Sequence, residues 1–157
     1  MELGIYRSTK TFNNLPCAHR RWQHDGHCAF IHGYSRSFTF WFACNTRTKN
    51  GFVMDFGDLQ DVKEWLEYMF DHTLLLDAND PLLETFTELE KKGACALRVW
   101  DDVGMEGTAY MAYNKVNAMV TKKTNHRVWI TKIEVRENDK NSATYEPGDE
   151  PGTHRNE

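Results

Sequence analysis

Phe38, Phe40 and Phe42 alternate with Thr39, Trp41 and Ala43 along residues 33–44, and this pattern constrains the fold more tightly than any other in the chain. A period of two places the three phenylalanines on one face of a strand and the other three residues on the opposite face. Three aromatic rings on one face need a cover. The residues that follow supply it: Leu59, Val62, Trp65, Leu66, Met69 and Phe70 form an apolar stripe at 3/4 spacing, which predicts a helix over 58–70 with Asp58 as its N-cap. A second long helix is predicted over 106–121, with Ala109, Ala112, Tyr113, Val116 and Val120 as its packed face. Between them a shorter helix is expected over 81–92. Pro81 lies in its first turn, Leu82, Phe86 and Leu89 face inward, and Gly93 ends it.

Strands are predicted at 3–12, 96–100 and 127–137. In the last of these Trp129, Ile133 and Val135 point one way and Lys132, Glu134 and Arg136 the other. Strands come first, then helices, then strands again, without β-α-β alternation. That order predicts an α+β fold with a mostly antiparallel sheet and helices on one face. The edges of so small a sheet invite self-association. At 157 residues the chain is expected to be one domain over 1–145, and 146–157 holds too few apolar residues to order and is expected to be disordered.

A net charge of −4 with no long basic run gives no electrostatic basis for binding nucleic acid. No run of 18 apolar residues suggests a membrane span, and no charged-then-apolar leader is recognisable at the N-terminus. A cytoplasmic protein is therefore expected, with Cys17, Cys28, Cys44 and Cys95 reduced.

The segment 13–32 reads as an irregular loop rich in His, Arg and Cys, poor material for a core and suited to chemistry. Four of the seven histidines fall between His19 and His32. Neutral imidazoles suit Zn²⁺, and a catalytic zinc needs three protein ligands and one open position. Cys28, with His24, His27 and His32 nearby, has surroundings that favour a thiolate able to take a proton from carbon, and Cys17 lies in the same segment. Asp71 and His72 follow the first long helix, either as a proton-transfer pair or as a helix-end cap. Glu137 shares the phase of Trp129, Ile133 and Val135, so its carboxylate is expected at the end of the core-facing side. A flat ligand with adjacent N–H donors would satisfy both its oxygens.

These places together resemble the 6-carboxytetrahydropterin / 6-pyruvoyltetrahydropterin synthase family. Its pattern has a first ligand histidine and then Cys-x-x-x-His-Gly-His, and the chain has His19 and Cys28-Ala29-Phe30-Ile31-His32-Gly33-Tyr34. Val53-Met54-Asp55-Phe56, Asp71-His72-Thr73-Leu74 and Val135-Arg136-Glu137 resemble three further family segments, in the family's order. The resemblance implies the T-fold: an antiparallel four-stranded sheet with two long helices on one face, its strands closing into a barrel in an oligomer, commonly a hexamer made of two trimers. It implies Zn²⁺ on His19 and His32, with Cys28 as base assisted by Asp71 and His72. Glu137 would anchor the pterin ring of 7,8-dihydroneopterin triphosphate. The expected activity is 6-carboxytetrahydropterin formation on the route to 7-deazaguanines such as queuosine, with the pyruvoyl-forming reaction and a non-catalytic pterin- or purine-binding protein as alternatives. Two departures stand out. Tyr34 occupies the position of the third histidine, so either Tyr34 coordinates weakly, or His27 or His24 swings in from the loop, or the metal site is weakened or lost; a loop histidine, His27 first, is the expected third ligand. Glu106 and Thr108 stand where the family's helix start contacts the pterin. Lys10, Arg20, Arg21 and Arg36 are candidates for the phosphates.

Overall fold

A computed structural model describes residues 4–148. Its elements in chain order are β1 (Tyr6–His19), β2 (His32–Cys44), α1 (Gln60–Phe70), β3 (Thr73–Asp77), α2 (Leu83–Lys91), β4 (Leu97–Trp100), α3 (Met105–Lys123), β5 (Val128–Arg136) and β6 (Ser142–Tyr145). Short 3₁₀ turns lie at His27–Ala29 and Phe56–Leu59. Among the described residues the strands form one six-stranded sheet in the order β4-β3-β1-β2-β5-β6. Most of the expected tail, 149–157, lies outside the described residues, and 146–148 carry no helix or strand.

The alternation at Phe38, Phe40 and Phe42 does what it predicts: all three rings are fully buried, and α1 and α3 cover them. Val62, Leu66 and Phe70 of α1 and Ala109, Ala112, Val116 and Val120 of α3 are completely enclosed. The small residues on α3 let that helix lie close to the sheet.

Several expectations need correction. The sheet has six strands and is mixed, not four antiparallel ones, because β3 pairs parallel with both β1 and β4. The β3–α2–β4 segment is a β-α-β crossover that the sequence reading did not contain. It places α2 on the opposite face of the sheet, where Phe86 packs on Leu74 and Leu76 while Leu75 faces the main core. This face is narrow, so Leu82 and Leu89 remain exposed, against expectation. Asp58 is not the cap: the side chain of Asp55 accepts from Gly57 N at 2.9 Å and starts a 3₁₀ turn that runs into α1. On β5 the register slips between Ile130 and Lys132. Val128 and Ile130 therefore share the inner face with Ile133 and Val135, and Trp129 lies on the other face.

Candidate metal centre

The site grows out of a second irregularity, on β1. The pairing of β1 with β2 shifts register between Phe12 and Leu15, where Asn14 adopts φ 61°, a left-handed conformation that Asn tolerates well. Phe12 faces inward before the shift; Leu15, Cys17 and His19 face inward after it. The segment expected to be a loop from residue 13 is therefore strand as far as His19, and the bulge turns His19 into the core. His19 pairs directly with His32 across the sheet, their ring centroids 4.8 Å apart. Gly33 allows this closure, since a Cβ there would meet Cys17 O at 2.0 Å and Ala18 Cα at 2.8 Å.

At the far end of β5, Glu137 arrives where its phase predicts, with Oε1 3.5 Å from His19 Nε2. A turn holds it there, its N–H donating to Asn141 O at 3.0 Å. One donor atom each from His19, His32 and Glu137 fall within 4.8 Å of one another, the one such His/Cys/Asp/Glu group among the described residues. The outer hydrogen bonds suit a cation. His19 Nδ1 lies 3.2 Å from Val103 O, and His32 Nδ1 lies 2.7 Å from Phe30 O. Each Nδ1–H can donate to its carbonyl, which leaves both Nε2 lone pairs free, the tautomer that metal-binding histidines use. Two imidazoles and one carboxylate form a donor set known for catalytic zinc and for non-haem iron. Burial, followed by the nearby Arg36 guanidinium, holds His19 below its ordinary pKa and keeps that lone pair available.

A shell of charged groups fixes this end of the sheet. Val103 O receives His19 and also Thr108 Oγ1 at 3.3 Å, while Val103 N donates to Asp77 Oδ1 at 2.9 Å. Thr108 is fully buried and its N–H is bonded to Gly104 O, so it supports His19 from behind and is not free to touch a substrate, a correction to its expected role. Arg20 makes a two-pronged pair with Asp80, at 2.7 and 2.8 Å, and reaches Ala29 O at 3.1 Å, tying the Cys28 turn to the start of α2. Arg21 bonds Asp102 at 2.5 Å. Neither arginine is therefore free for phosphate, and Lys10 sits over the rings of Phe12 and Phe56.

The Asp80 pair has a testable consequence. Burial alone would push Asp80 up, but the hydrogen bond from Arg20, the Leu82 N–H and the Arg20 charge outweigh it and hold Asp80 below its ordinary value. With Asp80 fully enclosed, Asp80→Ala should cost about 3–5 kcal/mol, the penalty for stranding a buried charge. A depressed carboxyl stabilises the fold above its unfolded value and ceases to do so as the pH falls through the folded one. The gap between wild type and variant, read by urea unfolding, should therefore be complete at neutral pH and close only below about pH 4.

Cys28 is half-buried in the 3₁₀ turn, while Cys17 is buried and burial pushes its thiol up. His27 is exposed and stacks on Phe30, with centroids 6.1 Å apart, so it does not join the cluster that Glu137 completes. Tyr34 pairs with Cys17 and is 47% exposed. Asp71 Oδ1 lies 2.6 Å from His72 Nδ1; Asp71 also caps α1, and His72 takes a left-handed φ of 60° while donating its N–H to Pro16 O. Both of the roles left open for this pair are compatible with the geometry. Glu106 is exposed in the first turn of α3, lining a groove with Trp100, Tyr110 and Tyr145. Sequence reasoning missed Asp77, Asp80 and Val103. An isolated Asp-x-x-Asp segment carried no signal that it would close on Arg20 and on a backbone 26 residues later.

Sheet and covering helices together define a T-fold protein, with His19, His32 and Glu137 gathered at the end of its sheet. The family model described as 6-pyruvoyl tetrahydropterin synthase matches residues 8–148, and the chain belongs to that family. Among curated relatives, 6-carboxy-5,6,7,8-tetrahydropterin synthases from Rickettsia conorii and Rickettsia felis are 38% and 40% identical to it over 63 residues. That stretch covers 40% of this chain and 46% of each relative. The chain thus spans about half the length of the curated relatives it matches. Of solved structures, an uncharacterized protein from Wolinella succinogenes superposes with a TM-score of 0.76 at 20% identity, covering 92% of this chain and 99% of that one. The 6-pyruvoyl tetrahydropterin synthase of Caenorhabditis elegans gives 0.65 at 17% identity, covering 94% and 99%. At these identities the likeness is one of fold. No helix among the described residues is long and apolar enough to cross a membrane.

Proposed function

We propose that the chain is a 6-carboxy-5,6,7,8-tetrahydropterin synthase that converts 7,8-dihydroneopterin triphosphate and water to 6-carboxytetrahydropterin, acetaldehyde and triphosphate, a lyase reaction feeding 7-deazaguanine synthesis in the cytoplasm. The observation that carries the reading is the convergence of His19, His32 and Glu137, with a backbone carbonyl beside the Nδ1 of each imidazole. The names of the rickettsial relatives favour the carboxy-forming branch.

In this reading His19, His32 and Glu137 hold Zn²⁺. Glu137 takes the third position in place of a loop histidine, and this replaces its role as anchor of the pterin ring. Bound there, the ion supplies Lewis-acid polarisation of the substrate's side-chain oxygens. Val103 O and Phe30 O orient the two imidazoles. Cys28, the accessible thiol of the segment, takes the proton from the side-chain carbon, and the Asp71–His72 pair relays it. Glu106, at the open rim of α3, contributes to ligand contact. The free edges at β4 and β6 favour assembly of a homo-oligomer, a hexamer of two trimers.

Incubating the purified protein with zinc and dihydroneopterin triphosphate tests the assignment. Acetaldehyde and a 6-carboxy product are expected. A 6-pyruvoyl product would move the chain to the other branch, and no turnover at all in zinc-loaded protein would leave a binding protein.

A further inference from the structure

Arg36 is only 2% exposed, yet no carboxylate lies within ion-pair distance of it among the described residues. Nη1 has no hydrogen-bond partner. Nη2 lies 3.4 Å from His19 Nδ1, a nitrogen that Val103 O also approaches, at 3.2 Å. With the His19 proton on Nδ1, the tautomer that leaves Nε2 open to a metal, one donor faces another, and no carboxylate answers the guanidinium charge. Arg20 and Arg21, by contrast, both sit on carboxylates. A buried, unpaired cation is costly and calls for a compensating reason.

The position suggests one. Arg36 approaches His19 on the Nδ1 side, and Glu137 approaches on the Nε2 side. Counting formal charges, neutral imidazoles, one carboxylate and one guanidinium sum to zero. A divalent ion would raise the total to about +2 in a poorly hydrated site, where Coulomb terms are strong. A bare ion is disfavoured there, and an anionic group is favoured.

We propose that Arg36 is the selectivity residue of this site: through its field it weakens binding of a bare metal ion and strengthens binding of a ligand whose side chain carries an anionic oxygen group. This rests on the metal-site reading above and adds the charge of the ligand to it. The anionic group is a carboxylate or a phosphate at the 6-position of a pterin.

The test compares wild type, Arg36→Met and Arg36→Lys in two titrations of the full chain. Zn²⁺ is titrated calorimetrically without ligand. Pterin-6-carboxylate, 6-hydroxymethylpterin phosphate and neutral 6-methylpterin are titrated into metal-free protein by fluorescence. Replacing a buried ion with an apolar side chain of similar volume is commonly neutral or stabilising, so Arg36→Met should fold, as circular dichroism will verify. In Arg36→Met, zinc should bind at least about tenfold tighter and one or both anionic pterins at least about tenfold more weakly, with 6-methylpterin unchanged within about threefold. Which anion responds identifies the group the site takes. Arg36→Lys should behave like wild type. Opposite-sign changes are what a merely structural arginine would not give. If zinc binds both proteins and Arg36→Met leaves its affinity unchanged, or shifts metal and anion in the same direction, the proposal alone falls. If neither protein takes up zinc, the metal-site reading falls and this proposal with it.

Discussion

Changing His19 to alanine is expected to abolish stoichiometric zinc binding, lowering affinity well beyond the roughly 10–100-fold that loss of an outer-shell partner costs. His32→Ala should do the same, because each histidine supplies one ring nitrogen to the cluster and no other His, Cys, Asp or Glu group of this kind occurs among the described residues. The fold should survive: Val103 O, which loses the His19 hydrogen bond, keeps Thr108 Oγ1. His27→Ala is the informative control. Its ring stacks on Phe30 outside the cluster, so zinc affinity should change by less than about twofold. Metal content after gel filtration and calorimetric titration read all three variants. A protein that loses zinc on His27→Ala and retains it on His19→Ala would overturn the assignment of the donor set.

The contrast between His19 and His27 also shows where reading the sequence works and where it stops. The inward face of β2 is legible because its alternation runs unbroken through Phe38, Phe40 and Phe42, and burial follows that period. The helices are legible for the same reason, since a stripe at 3/4 spacing has one physical solution. Glu137 lies at the end of the inner face, in phase with Ile133 and Val135 but not with Trp129. What failed had two causes. Bulges at Asn14 and beyond Ile130 reset the period in mid-strand, which turned the end of β1 into an apparent loop and put Trp129 on the wrong face. A bulge inserts one residue and leaves almost no compositional trace. The other cause was distance along the chain. Thr73–Asp77 is enclosed on both faces and lacks alternation, so its parallel pairing with β1 and β4 could not be told from its own residues. The same limit hid the Arg20–Asp80 and Asp77–Val103 contacts. The site was thus legible as a set of donor residues, while the order in which they meet depended on two inserted residues and one crossover.

The two thiols of the segment are set apart by their surroundings. Cys28→Ala is expected to reduce kcat by about 10²–10⁴-fold, the range associated with a positioned general base, with pterin affinity unchanged within about threefold. Cys17→Ala should leave kcat within about threefold. The thiols lie eleven positions apart but in opposite environments: Cys17 is buried on the inner face of β1, and burial pushes its thiol up, toward the neutral form that does not abstract protons. Cys28 sits half-buried in the 3₁₀ turn at His27–Ala29, a turn pinned by Arg21 N to Cys28 O at 2.7 Å and by Arg20 to Ala29 O. That pinning matters to a base, because it fixes the backbone from which the thiol reaches a substrate while leaving the side chain accessible. Single-turnover rates with dihydroneopterin triphosphate, measured alongside pterin affinity, separate chemistry from binding. If Cys17→Ala lost turnover while Cys28→Ala kept it, the proton would have to leave toward the inner face of β1, and the route through the Cys28 turn would have to be abandoned.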